Sequence, residues 1–211
     1  MMKNKLPKTI PIFPLSNAVF FPHTLLPLNI FEKRYLQLVE DSIKNGRLFG
    51  MVQPRRNKSP EDVYKIGCLG KIISFNETAD NRFIITLSGV IRFKIIEELQ
   101  SQKLYREFSV NYDDFISDLN VQNDELKDYD KKNLLQKIKS FFDKINYSVE
   151  FNQLLKLNFD QLVNTVCMIA PFSTEEKQKL IETIKVQDKL KNLEEIINFH
   201  LMDLQENKTI Q

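Results

Sequence analysis

The chain has 211 residues, 42% of them hydrophobic and 27% charged, with 30 Lys and Arg against 28 Asp and Glu. These figures describe an ordinary globular protein of one large or two small domains, and the two cysteines, Cys68 and Cys167, provide neither a disulfide framework nor a paired-thiol motif. No apolar run reaches the roughly 18 residues of a membrane span, and Met1 to Leu15 lacks the apolar block of a secretory signal, so a cytoplasmic protein with no membrane partner is expected.

Charge divides the chain. Residues 1–115 hold 17 basic and 12 acidic side chains and every arginine, whereas 116–211 hold 13 and 16. The predicted elements divide it at the same place. Ile10 to Leu15 is a strand candidate, which Pro11 and Pro14 assign to a sheet edge because proline cannot donate to a ladder. Ser16 to Phe31 (SNAVFFPHTLLPLNIF) is apolar, uncharged and broken by two prolines, which suits neither a helix nor a regular strand. Such a loop either plugs one end of the β-structure or presents its aromatic rings to another polypeptide.

Asn29 with Glu32 three positions on reads as a helix start, and Phe31, Tyr35, Leu38, Val39 and Ile43 follow at helical spacing up to Asn45-Gly46. Arg47 to Gln53 is a further strand. A hairpin follows, with strand 69–77, a turn at Thr78 to Asn81 and strand 82–88, and Gly89 bends the continuation toward Ile96. Phe108, Val110 and Tyr112 alternate with Ser109, Asn111 and Asp113 as in a half-buried strand.

Beyond Phe115 the period changes. Ser117 to Asp130 reads as a linker or as the solvated start of a helix whose stripe is Leu134, Leu135, Ile138, Phe141, Phe142 and Ile145. Asn158 caps a second helix that Pro171 ends, Ser173 and Glu176 form a capping box for a third, and Val186 to Leu204 carries a last apolar stripe. The fold class expected is α+β, with a β-rich subdomain over 1–115 and a helical subdomain over 116–211.

Catalytic patterns are missing. Gly67-Cys68-Leu69-Gly70-Lys71 is followed by Ile72 where a phosphate loop needs a hydroxyl, and it reads as a turn into a strand. His23 and His200 stand far from any metal-ligand partner and read as surface residues, and the cysteines read as small buried hydrophobes. No metal, cofactor or catalytic residue is expected.

The runs IPIFPLSNAVFFPHTLLPLNIFEKRYLQLVEDSIKNGRLFGMV, GCLGKIISF and NRFIITLSGVIRFKI, with the later VCMIAPFSTEEKQKLIETIKVQDKLKNLEEII, resemble the N-terminal domain of the Lon ATP-dependent proteases over roughly residues 8–205. That domain also occurs alone in bacterial proteins and within cereblon. The resemblance implies a PUA-like β-barrel or sheet followed by a helical bundle, used to recognise unfolded polypeptides. The chain holds no Walker A loop and no Ser-Lys dyad candidate, so it is expected to be non-catalytic and to bind unfolded or apolar polypeptides as an adaptor or chaperone-like factor, with a protease or chaperone as partner.

The side chains expected to bind polypeptide are Phe20, Phe21, Leu25, Phe31 and Tyr35. Glu32, Arg34 and Arg92 fall on the family's motif positions, and Arg92, in an otherwise apolar strand, is expected to pair with Glu32. The alternative reading is an RNA-binding PUA-like module using Arg47, Arg55, Arg56 and Lys58. An enzyme with a small-molecule pocket is the remaining option, for which the sequence offers no nucleophile, base or cofactor loop.

Overall fold

A computed structural model describes residues 6–16, 18–55, 62–120 and 130–206, with side chains described to residue 202. Arg56, Lys58, Asn17, most of the polar stretch before Asp130 and the Leu204 side chain lie outside the described residues. The chain forms two compact units, Met1–Val121 and Gln122–Gln211.

The first unit is built on six strands, β1 (Thr9–Pro14), β2 (Leu25–Ile30), β3 (Leu48–Val52), β4 (Ile66–Glu77), β5 (Phe83–Leu99) and β6 (Arg106–Asn111), with helix α1 (Lys33–Lys44) between β2 and β3. The order is β2-β5-β4-β3-β1-β6, and β6 also pairs with β5, so five strands close into a ring and, among the described strands, only β2 keeps a free edge. The 17-residue β5 makes this possible: its first half lies between β2 and β4, and its second half, from Lys94 on, joins β6.

The predicted hairpin is present as β4, the turn and β5, with Asn81 in the left-handed region at φ 59°. Two expectations fail. β1 is no edge: it pairs in parallel with β3 and antiparallel with β6, because ring closure leaves it between two neighbours despite Pro11 and Pro14. Part of the apolar loop, Leu25–Ile30, is strand after all. Leu25 to Ile30 pairs with Ser88 to Phe83, and Pro27 is tolerated because this is the true edge. The pairing of Asn29 with Ile84 also keeps Asn29 out of the helix, so α1 starts at Lys33 with Glu32 at its N-cap.

Alternate residues of the ring face inward, where Ile10, Ile12, Leu69, Ile91, Phe93, Phe108 and Val110 form the core with Phe115 of a 3-10 helix (Asp113–Leu119). The first unit therefore runs past Phe115. α1 lies against β1 and β3, and burial of Tyr35, Leu38 and Val39 fixes it there.

The second unit is helical: α2 (Lys131–Lys144), α3 (Phe151–Lys156), α4 (Phe159–Ile169), α5 (Thr174–Glu182) and α6 (Val186–Glu206). Asp130 caps α2 by accepting from Lys132 and Asn133, which places the helix start after the polar stretch. The capping boxes Asn158/Gln161 and Ser173/Glu176 are both formed. The stripes predicted for the first and last of these helices form the centre of the unit: Ile138, Phe141 and Phe142 of α2 and Leu190, Leu193 and Ile197 of α6 are all buried, and the two helices are in contact.

Candidate functional site

A pocket of about 430 Å³ opens in the first unit. Ile12, Pro14 and Pro54 supply one apolar wall and Leu104 another, while Tyr35, Arg34, Glu98 and Arg106 supply its polar groups. Strand pairing explains the assembly. Glu98 lies opposite Phe108 in the β5–β6 ladder, which brings it beside Arg106, and α1 places Arg34 and Tyr35 in its first turn over β1.

Arg106 donates to both carboxylate oxygens of Glu98 at 2.7 Å, and these bonds hold the Glu98 carboxyl below its usual range. Arg34 donates from Nε and Nη2 to a single oxygen of Glu32 at 3.0 and 2.8 Å, in a pair about half exposed on both sides. Its guanidinium also lies 4.5 Å from the centre of the Tyr35 ring. Tyr35 stacks on Phe13 at 4.1 Å and is 6% exposed, and its hydroxyl has no hydrogen-bond partner among the described residues. Burial raises its pKa above the usual phenol value, with the charges of Arg34 and Arg106 opposing, so the group remains an O–H donor at neutral pH. The adjoining loop is fastened to α1: Leu104 N–H donates to Gln37 Oε1 at 3.0 Å and Tyr105 O–H to Asp41 at 2.9 Å. The Leu104 side chain is left 62% exposed.

The five side chains expected to bind polypeptide are separated by the fold. Phe20 and Phe21 are buried in the core at 2% and 0% exposure. Their loop is knitted to β5, with His23 N–H donating to the Gly89 carbonyl, Gly89 N–H to the Thr24 carbonyl and Thr24 O–H to the Phe21 carbonyl. A side chain at Gly89 would strike the Phe21 carbonyl, so glycine is needed for this approach. The loop fills the unit instead of presenting its rings. Leu25 and Phe31 are exposed, at 57% and 64%, and Tyr35 lines the pocket.

The expected Glu32–Arg92 pair does not form. Arg92 donates to Asp118 from Nε and Nη2 at 2.9 and 2.8 Å, both side chains being buried, while Glu32 faces solvent and binds Arg34. The reason is geometric: the 3-10 helix carries Asp118 back across β5, whereas Glu32 sits on the outer side of the α1 start. His23, read as a surface residue, is half-buried with Nε2 2.7 Å from the Asp118 carbonyl. For the RNA reading, Arg55 pairs with Asp62 at 3.9 Å and Arg47 sits in the turn between α1 and β3. Arg56 and Lys58 lie outside the described residues. Sequence reasoning missed Glu98, Leu104 and Arg106, which have no local signal and become neighbours of α1 only through ring closure.

Among the described residues no group of three or more His, Cys, Asp and Glu is placed to hold a metal ion, and no helix is long and apolar enough to cross a membrane.

The family model of the ATP-dependent protease La (LON) substrate-binding domain matches residues 9–198. The chain belongs to the Lon substrate-binding domain family. Lon protease of Syntrophus aciditrophicus is 26% identical over 98% of the chain, and Lon protease of Dictyoglomus thermophilum 25% identical over 89%. The chain spans about a quarter of the length of these relatives, 27% and 24%. Two solved structures share the Lon-type fold: a Lon N-terminal domain protein from Xanthomonas campestris (TM-score 0.61, 19% identity, covering 90% of this chain and 97% of that one) and the N-terminal domain of Mycobacterium avium complex Lon protease (0.63, 14%, 90% and 98%). The match is to the substrate-binding domain, not to protease or ATPase domains.

Proposed function

We propose that this Lon substrate-binding domain holds apolar segments of unfolded polypeptide in the pocket between α1, β1 and the start of β6, as a non-catalytic adaptor or chaperone-like factor in proteolysis. One observation carries the reading: a pocket of about 430 Å³, in which Ile12, Pro14 and Pro54 stand beside the charged Arg34, Glu98 and Arg106, is bordered by Leu104, an aliphatic side chain held outward by a loop that is itself fastened to α1. Fixed apolar groups at a concave site give affinity by removing apolar surface from water at roughly 25 cal/mol per Å², less the cost of ordering the ligand. Tyr35 takes part as the floor of this pocket, and the exposed Phe31 and Leu25 lie outside its lining.

The test is binding of a reduced and alkylated, permanently unfolded protein, followed by anisotropy, to the parent chain and to Leu104→Asp. A charge on the apolar rim should weaken binding several-fold with unchanged melting; equal binding would remove this pocket from the reading. A parallel incubation with ATP and the same unfolded protein should yield neither phosphate nor fragments, and turnover of either would overturn the non-catalytic role.

A further inference from the structure

The polar groups of the pocket are not balanced, and the imbalance specifies a ligand. Both oxygens of Glu98 accept from Arg106. The remaining lining cation is Arg34, whose own partner, Glu32, is an exposed carboxylate on the adjacent turn. Exposed ion pairs contribute little to stability, so exchanging Glu32 for another carboxylate costs little. Beside Arg34 lies the Tyr35 hydroxyl, on a side chain more than nine-tenths buried and without an acceptor among the described residues. The hydroxyl is not sealed in the interior but reaches the pocket, so it is free to donate to an acceptor that a ligand brings. α1 adds to the same field, since its first turn holds no acidic residue and no side chain caps it.

We propose that the pocket recognises a carboxylate carried next to an apolar side chain of the bound polypeptide. The carboxylate accepts from the Tyr35 O–H and from the Arg34 guanidinium, displacing Glu32, while the apolar side chain rests on Leu104, Pro14 and Pro54. A chain's C-terminal carboxylate and an internal Asp or Glu share this chemistry. The inference rests on the polypeptide-binding reading and sharpens its substrate class.

The experiment uses fluorescein-labelled ten-residue peptides of one leucine-rich sequence with the full chain. One peptide ends in a free acid, one in an amide, and two amidated forms carry Asp or Asn beside the terminal leucine. Bonds to a charged group predict about tenfold tighter binding of one or both carboxylate peptides than of their neutral counterparts. Which pair shows the gap identifies the source of the carboxylate. Tyr35→Phe, which keeps the ring stack on Phe13, and Arg34→Gln should each close most of the gap without weakening the neutral peptides. Glu32→Gln should widen it, because the competing carboxylate is gone; a merely structural Glu32 would not do this. Equal binding of charged and neutral peptides overturns the proposal and leaves the polypeptide reading standing. A gap that survives in both Tyr35→Phe and Arg34→Gln also overturns it, and failure of every peptide to bind takes down both.

Discussion

Arg92 and Asp118 form a buried, two-pronged ion pair, with a third bond from the Arg92 backbone N–H to the same carboxylate at 3.0 Å. The guanidinium also lies over the Phe115 ring, 4.5 Å from its centre. The pair therefore pins the 3-10 helix to the middle of β5, and the Asp118 carbonyl in turn meets His23 of the buried loop.

Breaking such a pair from one side strands a charge in the interior. Arg92→Leu and Asp118→Asn should each lower the stability of the first unit by about 3–5 kcal/mol. Combining Arg92→Leu with Asp118→Asn should cost clearly less than the two single losses together, since no stranded charge remains. Urea unfolding followed through the tyrosines measures this, and strict additivity would show that the two side chains act independently.

The basis of that pairing also shows what the sequence could and could not reveal. The β4–β5 hairpin was legible because β-branched runs flank a turn made of residues that favour turns, and the helix caps at Asn158 and Ser173 because they are local hydrogen bonds. Asp118 is 26 residues from Arg92, and nothing in either neighbourhood marks the partner. The pocket is hidden for the same reason: Glu98, Leu104 and Arg106 meet α1 only once β6 closes the ring. The apolar loop misled in a different way. Phe20 and Phe21 have the composition of a binding surface and of a core plug alike, and only the backbone bonds of His23, Thr24 and Gly89 decide for the core. β2 escaped notice because LLPLNI lacks polar alternation and carries a proline.

Phe21 is wholly buried and Phe20 nearly so. Phe21→Ala should cost about 3–5 kcal/mol by loss of apolar burial and a residual cavity. Any fall in polypeptide binding by this variant should track its unfolded fraction and recover at lower temperature, whereas Leu104→Asp should lose affinity at full foldedness. Circular dichroism and anisotropy on the same samples separate the two cases.

Gly89 faces the Phe21 carbonyl at a distance that leaves no room for a methyl group. Gly89→Ala must push the loop backbone away and break the bonds to His23 and Thr24, at a cost of about 1–3 kcal/mol. Amide hydrogen exchange should show faster exchange at His23 and residue 89 than in the parent, with β3 and β6 unchanged. A general rise across the ring would mean that the loop is a part of the core that cannot open on its own.

Cys167 offers a pH test in the second unit. It is fully buried, and burial pushes its thiol up to about 12 from an ordinary value near 9, with the nearby Lys189 and Lys177 opposing. The unfolded chain loses this proton first, so the contribution of the neutral thiol to stability is intact below about pH 9 and is lost as pH rises toward 12. Lys177, whose pKa is depressed by burial, acts in the opposite direction, so the comparison has to be made between the parent and Cys167→Ala. The stability difference between them should be constant from about pH 7 to 8.5 and then move against the parent as pH increases. Thiol labelling at about pH 8 should be correspondingly slow at Cys167 in the folded chain and rapid in urea. A difference that stays flat to about pH 11 would mean that the thiol ionises equally in both states.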